Sequence, residues 1–352
     1  MENKRNAVEK LFNVSFPEDP EWNRWFFDRV YNDEEAMLLT EDGRPVSCLL
    51  SQQYNFKFHE QILPMAYLCG VATDRRMRGH GFMSRLIAEM LQQSYKRGDV
   101  FAGVIPADRR LFFFYDKFGF ATVVYAGIER YSSLHTFPIN PELNSVLPLY
   151  QSFLSLMKDR KITVMHSERQ FNDILDDIRH DSGHVVQIDD NNGVPLAMAF
   201  ATADNSEIHV KEILGTFPPA LDMALGEIKG VLGVDKSMIV YGPPKDHASY
   251  ALRSRAMMRI VNAHKVLSSL AQQYPDVSQI VRVTDQLIKE NNAMFVIKDG
   301  ECKVSLENER IKTDTPIDVS IDVLTKLIFS DSFIQKVFNI PTARPSMPLM
   351  LD

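Results

Sequence analysis

Cysteine is scarce in this 352-residue chain: its three, Cys48, Cys69 and Cys302, are scattered, make no C-x-x-C pair and have no histidine-rich neighbourhood. That speaks against a disulfide framework and against a zinc site, so no metal is expected, and it fits a reducing cytoplasm. The opening run Met1-Glu-Asn-Lys-Arg-Asn lacks the apolar stretch of a signal peptide. No later segment reaches the ~20 apolar residues a membrane helix needs, so a soluble, cytoplasmic protein with no membrane partner is expected. An excess of positive charge is also missing. A formal net charge of -7 does not suit a nucleic-acid partner, which would need clustered Lys and Arg, and mildly favours cationic substrates.

Apolar residues are plentiful, at 45% of the chain. Single cores rarely grow past about 250 to 300 residues, so two or three domains are expected. After a helical segment around Trp22 to Tyr31, apolar runs at Glu35 to Thr40 and Pro45 to Leu50 flank the turn signal Glu41-Asp42-Gly43, the pattern of a hairpin. A third strand is expected over Tyr54 to His59. A fourth, Met65 to Ala72, is a nearly continuous apolar run of the kind buried on both faces. Then come glycines and a helix whose stripe, Phe82, Leu86, Met90 with Met83, Ile87, Leu91, ends at Gly98 in the C-cap position. A strand over Asp99 to Ile105, a short helix from Arg109 to Phe118 closed by Gly119, and a strand from Thr122 to Tyr131 complete the unit.

The middle of the chain echoes its start. Val185 to Phe200 repeats the order strand, acidic-glycine turn, proline, strand, and Glu207 to Gly215 supplies a further strand. A duplicated second copy is plausible on that pattern. Where the first copy has its glycines, this one has Thr216-Phe-Pro-Pro-Ala-Leu, and proline lacks the N–H an anion site requires, so the second copy is expected to be structural. A third region follows the turn Tyr241-Gly-Pro-Pro-Lys-Asp: a long amphipathic helix from Arg253 to Gln273, then short strands around Ile280, Met294 to Ile297 and Lys303 to Leu306. It closes with a helix near Val319 to Phe329 and a proline-rich tail.

The strongest chemical signal is Arg76-Met77-Arg78-Gly79-His80-Gly81-Phe82-Met83, between the buried strand and the amphipathic helix. Its glycines let the backbone turn tightly and approach a ligand, and the N–H groups and positive dipole end of the helix favour an anion. A dinucleotide fingerprint would need glycine where Ser84 stands, and a P-loop would need Gly-Lys-Ser/Thr. What remains is the pyrophosphate of coenzyme A, set against an ordinary turn with solvated arginines. R-x-x-G-x-G after an apolar strand resembles motif A of the GNAT acetyltransferases. Downstream, Phe114-Tyr115-Asp-Lys-Phe-Gly119-Phe resembles the aromatic second hallmark of that family.

The resemblance implies acetyl-CoA as co-substrate and a direct N-acetyltransferase mechanism toward a primary amine. It places Cys69, Gly70 and Val71 along the cofactor arm, with Tyr115 near the thioester sulfur as the proton donor to the departing thiolate; the other reading of Tyr115 is a core tyrosine. Over the whole chain the layout resembles the Eis (enhanced intracellular survival) acetyltransferases. An α+β, mixed α/β architecture is therefore expected: a catalytic GNAT domain over 1–133, a degenerate GNAT-like domain over 134–248 and a sterol-carrier-protein-like domain over 249–352. In that family the general base is implied to be the terminal carboxylate, which carries over to Asp352, although an aromatic last residue is usual there. Trimers or hexamers, and multi-amine compounds or lysine side chains as acceptors, are implied by the resemblance alone. Trp22 and Trp25 are candidates for the wall of the amine pocket, and His59 with Glu60 for an alternative base. The contrasting readings are an apolar-ligand binding protein with a relic GNAT unit, and an acyltransferase using another acyl-CoA.

Overall fold

The computed structural model describes residues 3–138, 147–215, 217–242, 244, 251–305, 316–330 and 333–351. Contacts divide the chain into two units, one of 1–124 with 255–345, the other of 125–254 with 346–351.

The first unit opens with α1 (Lys4–Ser15) and α2 (Pro20–Arg29). Asp19 accepts the Trp22 N–H at 2.8 Å and Pro20 stands at the first helical position, so α2 starts where its orphan donors are satisfied. A hairpin of β1 (Ala36–Glu41) and β2 (Arg44–Phe58) leads to β3 (Gln61–Thr73), all antiparallel. Helix α3 (Phe82–Arg97) crosses over to β4 (Phe101–Val104), which runs parallel to β3. Then follow α4 (Arg109–Asp116) and β5 (Ala121–Tyr131), the latter passing into the second unit.

In the second unit come α5 (Leu149–Met157), β6 (Ile162–Met165) and α6 (Glu168–His180), then the hairpin β7 (His184–Asp189) and β8 (Pro195–Ala203). After β9 (Glu207–Gly215), helix α7 (Pro218–Leu232) crosses to β10 (Ser237–Gly242), which is parallel to β9 and antiparallel to the later part of β5. The order hairpin, strand, crossover helix, parallel strand thus occurs in both units. The echo in the sequence reflects it. Ala197, Ala199 and Ala201 on β8 and Ala220 and Ala224 on α7 share one buried cluster with Ile208, Val210 and Ile228, so small side chains let helix and sheet approach closely.

The chain returns to the first unit through β11 (Ala251–Ile260), whose residues 257–260 pair antiparallel with β4. Next are α8 (Ala263–Gln273), β12 (Gln279–Thr284), β13 (Ala293–Lys298), β14 (Glu301–Ser305), β15 (Ile317–Ser320) and α9 (Ile321–Phe329), with a small sheet in the order β14-β13-β12-β15. Phe329 of α9 lies 5.5 Å, ring centre to ring centre, from Phe101, which also meets Phe56 at 5.1 Å and Phe58 at 5.3 Å. Phe101 is therefore a keystone between the first sheet and the C-terminal third. Truncation to alanine is expected to destabilise the protein by roughly 3–5 kcal/mol, read as a fall in the denaturant midpoint with an unchanged m-value.

Two sequence expectations are corrected. The long helix from Arg253 to Gln273 begins as a strand: Arg253 to Ile260 lies in β11, and the helix starts only at Ala263, capped by the Asn262 side chain on the Lys265 N–H at 2.9 Å. Alanine, methionine and arginine are good helix formers, and pairing with β4 overrides that propensity. The separate strands at Pro45 to Leu50 and Tyr54 to His59 are one strand, β2, because the polar Ser51 and Gln52 between them are buried in the ladder. Thr216, Pro243, Lys245, Asp246 and Leu306 lie outside the described residues.

Candidate active site

Strand β3 carries the first element of the site. Opposite it, β2 pairs Cys48 with Ala72 and Leu50 with Cys69, so Gly70 and Val71 together face Leu49 and form a β-bulge. Gly70 sits at φ +57°, and a Cβ there would come within 3.0 Å of the Phe12 ring. The parallel pairing of β3 with β4 stops at Leu68 and Val104, so the bulge lies past the end of β4. Cys69, Gly70 and Val71 are half-buried there.

The loop to α3 is built by local hydrogen bonds. Asp74 accepts the Arg76 N–H at 2.8 Å and caps the single 3-10 turn Arg75–Met77, while the Arg78 Nε–H donates to the Thr73 carbonyl at 3.2 Å. His80 Nδ1 stands 3.0 Å from the Arg78 carbonyl and 3.2 Å from that of Met77, so Nδ1 carries the proton and donates. Gly79 at φ +82° and Gly81 at φ +83° occupy left-handed positions that cost an L-residue strain.

Helix α3 then begins with Gly81 as its N-cap and no side chain capping it, and its first turn holds no acid. The first intrahelical bond is Arg85 N–H to the Gly81 carbonyl at 3.0 Å, so the N–H groups of Phe82, Met83 and Ser84 have no intrahelical acceptor. With the exposed Arg76 and Arg78 nearby, the start of α3 presents N–H donors and positive charge, the features that suit an anion. Met77, Phe82, Met83 and Val71 pack half-buried around the cluster that contains Tyr115, Leu86 and Met90.

Tyr115 comes from α4, whose N-cap Asp108 accepts the Arg110 and Leu111 N–H groups at 2.7 and 3.2 Å. The tyrosine is buried, with its ring edge-on to Phe114 at 5.3 Å and to Phe120 at 5.9 Å. Burial, and secondarily the neighbouring Cys69 thiol, push its pKa well above the usual phenol range. Val71 of the bulged strand and Phe82 and Met83 of α3 pack against the cluster that holds Tyr115, and burial favours the neutral phenol.

Trp22 and Trp25 reach the same neighbourhood through rings. They lie 5.9 Å apart; Trp22 stacks on Phe26 at 5.1 Å, Phe26 stacks on Phe12 at 5.4 Å, and Phe12 abuts Gly70. Both tryptophans are half-buried. His59 and Glu60 are elsewhere: they form the turn between β2 and β3, roughly 30 Å along β3 from Gly70. There the Tyr274 hydroxyl bonds His59 Nδ1 at 2.9 Å and the Glu60 N–H bonds Gln273 Oε1 at 2.7 Å.

Asp352 lies outside the described residues. The tail before it, Ser346 to Leu351, belongs to the second unit, where Met347, Leu349, Met350 and Leu351 are buried. Ser346 Oγ donates to Thr163 Oγ1 at 2.8 Å, and His166 Nε2–H donates to the Pro348 carbonyl at 2.8 Å. Burial pulls the His166 pKa down to about 4, against the raising effect of that bond. Below its ordinary pKa of about 6.5 the unfolded chain takes up a proton that the folded one refuses, so stability falls with pH across that window, by up to ~3 kcal/mol. Urea unfolding of the second unit is expected to show this loss between neutral pH and pH ~4.5, and His166→Gln to remove it.

Sequence reasoning missed Phe12, Arg259 and Asp285. Phe12 is on a helix that carries no motif, and Arg259 was hidden in the run read as helix. Among the described residues no cluster of His, Cys, Asp or Glu is arranged to hold a metal, and no helix is long and apolar enough to cross a membrane.

A β-bulged strand, an uncapped helix N-terminus after a glycine loop and a buried tyrosine thus meet in the first unit. Residues 2–123 match the profile of the acetyltransferase (GNAT) domain, so the first unit carries a GNAT acetyltransferase domain and the chain is an acyltransferase. No curated protein matches the chain. Among solved structures, a conserved protein of unknown function from Enterococcus faecalis is similar with a TM-score of 0.78 at 13% identity, covering 98% of this chain and 96% of that one. Eis1 from Mycobacterium abscessus is similar at 0.73 and 11% identity, covering 99% and 98%. A GCN5-related N-acetyltransferase from Anabaena variabilis gives 0.70 at 15% identity, covering 94% and 89%. At such identities the likeness speaks to the fold.

Proposed function

We propose that the chain transfers an acetyl group from acetyl-CoA to a primary amine by direct attack in a ternary complex. One observation carries this reading: the buried Tyr115 shares a cluster with Val71 of the bulged strand and with Phe82 and Met83 at the uncapped N-terminus of α3. The loop suits the diphosphate of coenzyme A, because a Cβ added at Gly79 or Gly81 would meet nothing within 4 Å and the backbone stays open to a ligand.

When bound, acetyl-CoA supplies the activated acyl group and a thiolate leaving group. The N–H groups of Phe82 and Met83, with Arg76, Met77, Arg78, Gly79, His80 and Gly81, bind the diphosphate, and Cys69, Gly70 and Val71 orient the arm. A backbone N–H near Val71 faces the negative charge that develops on the carbonyl oxygen. As the amine nitrogen bonds to the carbonyl carbon and the C–S bond breaks, Tyr115 gives its hydroxyl proton to the sulfur and a carboxylate of Asp352 takes the proton of the amine.

A raised phenol pKa does not defeat the first transfer, because burial raises thiols too: Cys48, on the adjoining strand, is pushed up to about 12. A carboxylate of pKa about 4 becomes a useful base once burial raises it. Trp22 and Trp25 wall the acceptor pocket. A sterol-carrier-protein-like character of the C-terminal third, the domain limits 1–133, 134–248 and 249–352, and assembly into trimers or hexamers are part of the same proposal.

Thiol release from acetyl-CoA is the test, with kanamycin, spermidine and lysine amide as acceptors, set beside binding of a fluorescent fatty acid. Turnover on at least one amine is expected. Fatty-acid binding with no turnover on any amine would overturn the proposal in favour of a binding protein.

A further inference from the structure

Arg259 is among the most buried side chains of the first unit, and its partner, Asp285, is as deeply enclosed, with side-chain exposures of 1% and 0%. One guanidinium nitrogen, Nη2, meets both carboxylate oxygens at 2.7 and 2.6 Å. The other, Nη1, donates to the backbone carbonyl of Phe118. That carbonyl belongs to the turn closing the helix of Tyr115: the Phe118 N–H bonds the Tyr115 carbonyl at 2.9 Å and the Gly119 N–H bonds that of Asp116 at 3.0 Å. A cation there satisfies a helix-end carbonyl and meets the negative end of the helix dipole. Gly119, at φ +77°, makes room, since a Cβ would run into Arg259 Nη1 and would stand 2.8 Å from Ile321 Cγ2.

Asp285 is also more than a counterion. Its carboxylate accepts the Leu287 N–H at 2.9 Å, the Ile288 N–H at 3.1 Å and Asn291 Nδ2–H at 2.9 Å, while Asn292 bonds its backbone N–H and carbonyl at 2.7 and 2.9 Å. The loop 285–292 is thereby fixed in shape. Leu287 and Ile288 pack into the cluster of Leu86, Met90 and Tyr115, and the Leu287 carbonyl accepts from Gln92 of α3 at 3.3 Å. One loop thus grips α3, which presents the anion site, and through Arg259 grips the end of α4, which presents the phenol.

A buried ion pair contributes little net stability and is often replaceable by apolar side chains, whereas it fixes geometry through directed bonds. The geometry points to Arg259 and Asp285 as positioning residues for acyl transfer: the pair holds the end of α4 so that Tyr115 keeps its place relative to α3, and it makes chemistry in the N-terminal domain depend on the C-terminal third. This inference rests on Tyr115 as the proton donor.

The test is a double-mutant cycle in the full-length chain, with acetyl-CoA and the fastest of the three amines above. Arg259→Lys keeps the charge and loses the fork. It is expected to lower kcat roughly 10- to 100-fold, the scale of a misplacement of about 1 Å, with KM for acetyl-CoA changed less than about 2-fold. In the Tyr115→Phe background the same substitution is expected to change kcat by less than about 2-fold, since there is no donor left to misplace. Equal losses in both backgrounds, or full kcat from folded Arg259→Lys with only a lowered Tm, would overturn the inference while leaving the proposed function intact. A Tyr115→Phe enzyme with undiminished kcat would instead remove the donor assignment, and the inference with it. Should Arg259→Lys fail to fold by circular dichroism, the pair Arg259→Met with Asp285→Asn, which removes both charges together, enters the same cycle with the same expected and contrary outcomes.

Discussion

Tyr115→Phe is expected to lower kcat by roughly 10²- to 10⁴-fold, the usual worth of a positioned proton donor, with little change in KM for acetyl-CoA. The substitution removes one oxygen from a ring whose edge contacts with Phe114 and Phe120 remain, so the fold is expected to persist. The pH profile sharpens the point. Burial raises the phenol pKa above its ordinary value, so the proton is retained through pH ~10, where an exposed tyrosine would ionise. The wild-type kcat profile is thus expected to show no falling limb from this group below pH ~10. Stopped assays of thiol release across that range check both statements. Near-wild-type kcat in the phenylalanine variant would return Tyr115 to the role of a core residue.

The second large effect is on binding. Gly81→Val places a β-branched residue at φ +83°, a conformation costing such a residue about 1–3 kcal/mol. The loop is expected to escape that strain by moving, which turns the N–H groups of Phe82 and Met83 away from the diphosphate. Affinity for coenzyme A is expected to fall at least ~10-fold, with kcat at saturation much less affected, because the interaction holds ground state and transition state alike. Space is not the issue, since a Cβ at Gly81 meets nothing within 4 Å. Calorimetric titration with coenzyme A separates the two parameters. A valine variant that binds as tightly as the wild type would show that the backbone there does not carry the anion.

Much of the first unit was legible because its constraints are local. Positive φ at Gly79 and Gly81 can be read from two glycines between an apolar strand and a helical stripe, and the turn at Asp42 and Gly43 from its composition. The stripe ending at Gly98 gave α3 to within a residue. The echo between Leu38 to Leu50 and Val185 to Phe200 likewise reflected the same hairpin formed twice.

What stayed hidden depends on partners distant along the chain. Arg253 to Ile260 is a strand because it lies between β4 and β5 in the sheet, with residues 257–260 paired to β4, and nothing in its own residues says so. Ser51 and Gln52 look like a loop until the ladder buries them. Arg259 shows its role only when Phe118 and Asp285 are brought to it, and His59 when Tyr274 is. The bulge at Gly70 was invisible too, because one extra residue in a strand leaves no periodic mark; only its partner Leu49 reveals it.

The most direct measurement is a crystal structure of the full-length chain with coenzyme A at saturating concentration. The diphosphate is expected against the backbone N–H groups at Gly81 to Met83, with the thiol arm along Cys69 to Val71 and the sulfur beside the Tyr115 hydroxyl. Coenzyme A bound at any other part of the chain, with that helix end empty, would contradict the assignment.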